Sequence, residues 1–248
     1  MTDSHAHLDA CEEPASVLVE RAQHAGVTKV VTIGTGIDSC RASLAIADEH
    51  DGVYAALGVD PHQAATPEAR RLDELRELLD HSKAVAVGET GLDNVRGHAT
   101  SVEQRRLFDA QLALADELAL PVVIHAREAD ADVAAALAGF AGTVVLHCFS
   151  SPGLLPVALE RDYYVSFAGN ATYPKASDLR DAAAAIRVDR LLVETDSPYL
   201  APQPVRGRPN EPAYVAYTVA ALADVRREAA DELAGQTDAN TVAAFGLG

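Results

Sequence analysis

Two histidines stand two residues apart at the start of the chain, in Asp3-Ser-His5-Ala-His7-Leu-Asp9. Successive side chains of a strand alternate faces, so residues two apart point the same way, and two imidazoles can grip one cation. Half a metal site needs its other half, because a catalytic divalent ion takes three or more protein ligands. Further donors recur wherever an apolar run stops. Glu89 ends Ala84-Val-Ala-Val-Gly-Glu, and His125 ends Pro121-Val-Val-Ile-His. His147 closes Thr143-Val-Val-Leu-His, and Asp196 ends Leu191-Leu-Val-Glu-Thr-Asp. A charge or imidazole left unpaired beside an apolar run costs stability, so a shared cation is an economical reason for all of them. Four imidazoles and two carboxylates suit Zn, Mn, Mg or Fe rather than copper(I) or an iron–sulfur cluster. Six donors exceed the needs of one tetrahedral ion. They match two ions about 3.5–4 Å apart bridged by a carboxylate and a hydroxide, with Glu89 as the bridge, His5, His7 and Asp196 on one ion, and His125 and His147 on the other.

Other polar residues gather near these. Glu194 lies two before Asp196, where alternation turns both to one face; Glu194 is expected to orient a histidine or water and Asp196 to accept a proton. Asp60 and His62 follow the third apolar run in Gly58-Val-Asp-Pro-His, and His62 is expected to meet the substrate. Arg127, with Arg206 and Arg208 further on, are the basic groups best placed for an anion.

These donors need one rim to sit on. Eight segments rich in Val, Ile and Leu, near 2–8, 28–34, 53–59, 84–89, 121–126, 143–149, 163–168 and 190–196, alternate with stretches of helical apolar spacing. That alternation predicts an α/β chain folded as a single (β/α)8 TIM barrel over residues 1–248, whose active face is the carboxyl end of the strands. An open doubly wound sheet would carry a Gly-rich phosphate turn, and Gly34-Thr-Gly36 stops short of one. The proline-rich run 200–212 predicts the last loop on the active face, with Asn210 capping a helix from Glu211 and Pro212.

Composition narrows the function. The net charge is −17, from 37 acidic and 20 basic residues, which argues against a broad grip on duplex nucleic acid but leaves room for a small, deep site taking a chain end. Cys11, Cys40 and Cys148 form no CxxC pair, and no apolar run reaches the length of a membrane span. A cytoplasmic location, with no membrane partner, is the expectation.

With these residues in hand, the sequence resembles the TatD family of metal-dependent hydrolases. The likeness rests on Asp3–Asp9, Gly88-Glu-Thr-Gly-Leu-Asp93, Gln104 through Gln111, Pro121–Arg127, His147-Cys-Phe-Ser150, Glu194-Thr-Asp-Ser-Pro-Tyr-Leu-Ala-Pro202, Arg206-Gly and Asn210-Glu-Pro212. The resemblance implies the barrel, a divalent-metal hydrolase usually described as a deoxyribonuclease acting from 3′ ends, and the same six ligands: His5, His7, Glu89, His125, His147 and Asp196. DNA or another phosphodiester, met at single-stranded ends, would be the partner. Some members look like deacylases of D-aminoacyl-tRNA, so an ester or amide hydrolase is the alternative, and a metal-binding interaction protein without catalysis is a third reading. The chain departs from the family at Asp60, where His is usual and a carboxylate repels phosphate, at Asn94 in place of an aromatic, and at Ser151 in place of Gly.

Overall fold

The computed structural model describes residues 1–247. Eight strands lie in sequence order in one parallel sheet: β1 (Thr2–Ala6), β2 (Lys29–Gly34), β3 (Val53–Leu57), β4 (Ala84–Asp93), β5 (Val122–Arg127), β6 (Val144–Leu146), β7 (Tyr164–Phe167) and β8 (Leu191–Val193). Between successive strands run α1 (Ala15–His24), α2 (Ile37–Glu49), α3 (Leu72–Leu79), α4 (Ser101–Leu118), α5 (Asp130–Leu137), α6 (Leu155–Glu160) and α7 (Ser177–Ala185). Two helices close the chain, α8 (Val215–Arg226) and α9 (Ala230–Phe245). This is the (β/α)8 TIM barrel expected from the alternation. Ring closure falls to the first and last strands. Ser4 Oγ donates to the Val193 carbonyl at 2.9 Å, the Asp196 N–H to the His5 carbonyl at 2.9 Å, and the His7 N–H to the Ser197 carbonyl at 2.7 Å.

Alternation along the strands builds two apolar layers. Val30, Val122, Ile124, Val144, Leu146, Leu191 and Val193 pack outward into the main core. Val31, Ile33, Val123, Val145 and Leu192 pack inward, plugged by Ala244, Phe245 and Leu247 at the far end of α9. The period of two therefore carries the inner face upward from Val123 to His125, from Val145 to His147 and from Leu192 to Glu194. Hydrophobic layers fill the cylinder, and the polar layer above them sits where barrels hold their active sites.

The first α4 turn is fixed by a capping box: Thr100 and Glu103 bond each other's backbone N–H groups. Its buried face sends two glutamines back to the strand ends. Gln111 accepts from the Val59 N–H at 2.8 Å and donates to the Val59 carbonyl at 2.8 Å and Thr90 Oγ1 at 2.8 Å. Gln104 bonds both the N–H and carbonyl of Asp93, at 2.8 and 3.0 Å. Gly91, at φ 141°, lets β4 run close to β5; a Cβ there would lie 2.0 Å from the His125 carbonyl oxygen.

Asn210 departs from its expected role. The helix start at Pro212–Tyr214 has no side-chain cap. Asn210 is instead buried beneath the last loop, donating to the Thr195 and Tyr199 carbonyls at 2.8 and 2.6 Å. Those carbonyls flank Asp196, so a buried donor is needed there more than at an exposed helix end. Of the expected buried side of this helix, Val215 and Val219 are buried and Tyr214 is partly exposed.

Candidate metal centre

Side chains from five strand ends converge at the barrel mouth. His5 Nε2 and His7 Nε2 lie 3.3 Å apart. Asp196 Oδ1 is 3.3 Å from His7 Nε2 and 3.7 Å from His5 Nε2, and Glu89 Oε2 is 3.6 and 3.7 Å from His5 and His7. The other Glu89 oxygen turns to a second pair: Oε1 lies 2.7 Å from His125 Nδ1 and 3.1 Å from His147 Nε2, and those two nitrogens are 3.3 Å apart. One carboxylate thus divides its oxygens between two groups of imidazoles. All six residues named from the sequence meet here.

The spacing fits cations better than hydrogen bonds. Separations of 3.6 and 3.7 Å exceed hydrogen-bond length. Ligands bound to one ion at about 2.1 Å stand roughly 3.0 to 3.4 Å from each other, in octahedral or tetrahedral order. One donor atom each from His5, His7 and Asp196 lies within 4.8 Å of the others, as do those of His5, Glu89 and His147. The residues present fit two divalent ions.

Charge is arranged to match. Burial opposes ionisation of Glu89, yet the charge of His147 and bonds from His125 and His5 hold its carboxyl well below the usual range. Burial likewise works against a charged His147, but Glu89 and Glu194 hold its imidazole well above its ordinary value. His5, stacked on His147 at 3.9 Å, is pushed down by burial and by that neighbour. The cluster stabilises concentrated positive charge under two anchored carboxylates.

A surrounding layer orients these donors. Glu194 is fully buried; its Oε1 accepts from the Cys148 N–H at 2.8 Å and faces His147 Nδ1 at 3.3 Å. Strand alternation is not what turns Asp196 inward, because β8 stops at Val193 and Asp196 sits in the left-handed region at φ 55°. Asp93 was missed by sequence reasoning. The reading ended β4 at Glu89, whereas the strand continues to Asp93, whose Oδ2 lies 3.2 Å from His125 Nε2 and 3.6 Å from His62 Nε2. Its Oδ1 accepts from the Val95 and Arg96 N–H groups at 2.7 and 2.8 Å. A carboxylate four residues beyond Glu89, inside the quoted Gly-Leu-Asp motif, was the available signal.

A cavity of about 650 Å³ opens over the cluster, lined by His7, Asp60, His62, Arg96, Arg127 and Tyr199 among others. Asp60, His62 and Arg127 therefore reach the cavity wall as expected. Arg206 does not line it; its guanidinium stacks 4.2 Å from the Tyr173 ring centre. Asp60 caps the Pro61–Gln63 turn, accepting from the Gln63 N–H at 3.1 Å, and burial together with the Glu89 charge pushes its carboxyl up to about 7.

Fold and site together define a TIM barrel with a cluster of candidate metal ligands at the carboxyl ends of its strands. Comparison with known proteins gives the family. A model of the family described as TatD related DNase matches residues 2–246. The chain is 41% identical to a protein of Mycobacterium tuberculosis named uncharacterized metal-dependent hydrolase TatD, over 100% of this chain and 98% of the relative. It is 35% identical to the 3′-5′ ssDNA/RNA exonuclease TatD of Klebsiella pneumoniae, over 93% of this chain and 91% of the relative. The crystal structure of YjjV, a TatD homolog from Escherichia coli, superposes with a TM-score of 0.94 at 33% identity, covering 100% of this chain and 98% of that one. The chain belongs to the TatD family and is a metal-dependent hydrolase. Among the described residues no helix is long and apolar enough to cross a membrane.

Proposed function

We propose that the protein is a phosphodiesterase that trims single-stranded DNA from its 3′ end, using two divalent ions of Zn, Mg or Mn. The observation that carries this reading is the division of Glu89 between two groups of imidazoles. His5, His7, Asp196 and Glu89 Oε2 would hold one ion, and His125, His147 and Glu89 Oε1 the other. Bound there, the ions would supply Lewis acidity and bring water to its hydroxide form near neutral pH. The chain's own groups do the rest. Asp196 takes the proton of the attacking water and passes it to the departing sugar oxygen. Arg96 and Arg127 on the cavity wall receive non-bridging phosphate oxygens, and His62, backed by Asp93, contacts the substrate. Glu194 keeps the His147 ring turned to Glu89. The exonuclease name carried by the Klebsiella relative supports the same substrate.

Asp60 favours a second reading, in which the same site hydrolyses an ester or amide such as a D-aminoacyl-tRNA, because a carboxylate on the cavity wall suits a less anionic scissile group. One experiment separates the two. Nucleotide release from single-stranded DNA with Mg or Mn is compared with turnover of an ester panel, in wild type and Glu89→Ala. DNA turnover that vanishes in the variant supports the proposal; equal DNA turnover in both rules it out, and ester turnover alone selects the second reading.

A further inference from the structure

Acidic residues outnumber basic ones 37 to 20 in this protein, and most of its arginines are tied to carboxylates or carbonyls: Arg41 and Arg71 to Glu74, Arg76 to Glu117, Arg187 to Asp162 and Asp189. Seven exposed arginines, Arg70, Arg96, Arg106, Arg127, Arg206, Arg208 and Arg227, have no carboxylate partner among the described residues; of these Arg206 stacks on Tyr173 and Arg227 caps the end of α8. Four of them, Arg70, Arg96, Arg106 and Arg127, lie on the side of the barrel where strands carry the active site. Arg70 ends the Pro67–Arg70 turn after β3, Arg96 lies between β4 and α4, Arg106 is in the second turn of α4, and Arg127 ends β5. A cation without a partner on a surface of net charge −17 is not there to balance a neighbour. It raises the local potential where an anion would arrive.

Two of the four converge on a second concavity. A groove of about 450 Å³ runs between the segment Ala64–Leu72 and α4, and its wall includes Arg70, Arg106, Thr66, Leu72 and Leu107. It begins two residues after His62, which lines the active cavity, so one turn of chain carries both. The loop with Arg96 closes the gap on the other side: His98 packs edge-on to His62 with ring centres 6.0 Å apart, and Gln104 ties α4 to Asp93 beside the metal cluster. Glu103 is the one acidic residue of the groove wall, and its carboxylate is committed to the Thr100 N–H and hydroxyl at 2.9 and 2.7 Å. Ala64, Ala65, Ala69 and Ala110 complete its lining with small apolar side chains, surface suited to a sugar and base.

We propose that this groove binds the phosphodiester backbone of the single strand a few nucleotides upstream of the bond being cut, with Arg70 and Arg106 on the phosphates and Arg96 leading the strand to the site. The proposal rests on the phosphodiesterase reading for its choice of ligand. It explains how so acidic a protein holds a polyanion without a basic face.

The test is the double variant Arg70→Gln/Arg106→Gln, whose side chains are exposed and lie outside the metal cluster. Binding of a fluorescein-labelled, phosphorothioate single-stranded oligonucleotide to the Mn-loaded protein is followed by anisotropy across a salt series, beside KM for an unmodified oligonucleotide and for a dinucleotide. Each phosphate contact on a single strand contributes about 0.7 to the slope of log affinity against log salt, so losing both lowers it by about 1.4 and weakens binding on the order of 10-fold. The dinucleotide is too short to reach the groove, and its KM stays at the wild-type value. Unchanged affinity and salt slope in the variant, or an equal loss with the dinucleotide, overturn the groove. A wild type that binds the oligonucleotide through these arginines but cuts no phosphodiester keeps the groove and sinks the phosphodiesterase reading instead. A wild type that binds no oligonucleotide sinks the groove.

Discussion

Replacing Asp93 by Asn would test whether the outer carboxylate sets the chemistry of the centre. Asp93 Oδ2 faces His125 Nε2 at 3.2 Å and favours a proton on that nitrogen, so that with an ion bound the Nδ1 lone pair would be the one offered on the side shared with Glu89 Oε1 and His147. In the variant, Oδ1 can still accept from the Val95 and Arg96 N–H groups, so the loop keeps its shape. The amide nitrogen now turned to His125 is a donor, and the ring answers by moving its proton to Nδ1. That removes one ligand from the His125/His147 ion only. Loss of such an outer partner costs 10- to 100-fold in metal affinity or activity, or about 1.4 to 2.7 kcal/mol. Metal titration by calorimetry of the Asp93→Asn protein should show one site near wild-type affinity and one weakened by that factor, with turnover reduced in step. Two sites of unaltered affinity would refute the reasoning.

Asp60→Asn should alter how stability depends on pH. The Asp60 carboxyl, moved by burial and the Glu89 charge from 3.8 to about 7, binds its proton more tightly folded than unfolded. Wild type therefore loses stability relative to the variant as pH rises from about 4 to about 7, by at most on the order of 4 kcal/mol, and the gap is constant above. Urea unfolding of the metal-free proteins across that range checks it; a gap that shrinks with rising pH contradicts the account. Gly91→Ala places a methyl 2.0 Å from the His125 carbonyl oxygen at a φ of 141°, and should destabilise by about 3 kcal/mol or more in thermal unfolding. Glu194→Ala leaves the part-buried Cys148 N–H without its acceptor and should cost about 1 to 3 kcal/mol, whereas Glu194→Gln restores most of that stability but not the metal affinity of the His147 site.

The barrel was legible because each strand is an apolar run ended by a polar residue, and every expected strand contains the observed one except β5, which runs one residue further to Arg127, and β4, which runs four further to Asp93. The apolar run of β4 stops at Glu89, yet Gly91 keeps β4 against β5 by leaving out its side chain, so the strand continues to Asp93. The six converging donors were legible for the same reason as the strands, since His125 and His147 are the next inward positions above Val123 and Val145. Other features depend on closure between chain ends. Asn210 serves the Thr195 and Tyr199 carbonyls because the β8 loop folds over it, and no local pattern distinguishes that from a helix cap. Arg206 looked like a substrate group by position, but stacking on Tyr173 draws it away from the cavity wall. The Arg70 and Arg106 groove depends on two elements separated by a strand and a helix, which spacing alone does not reveal.

Elemental analysis of the purified protein and of Glu89→Gln after equilibration with Mn or Zn tests the bridged pair most directly. About two ions per chain are expected in wild type, with both sites weakened in the variant, because one carboxylate serves both groups of imidazoles. A wild type that saturates at one ion, or a variant that holds two at wild-type affinity, would contradict it.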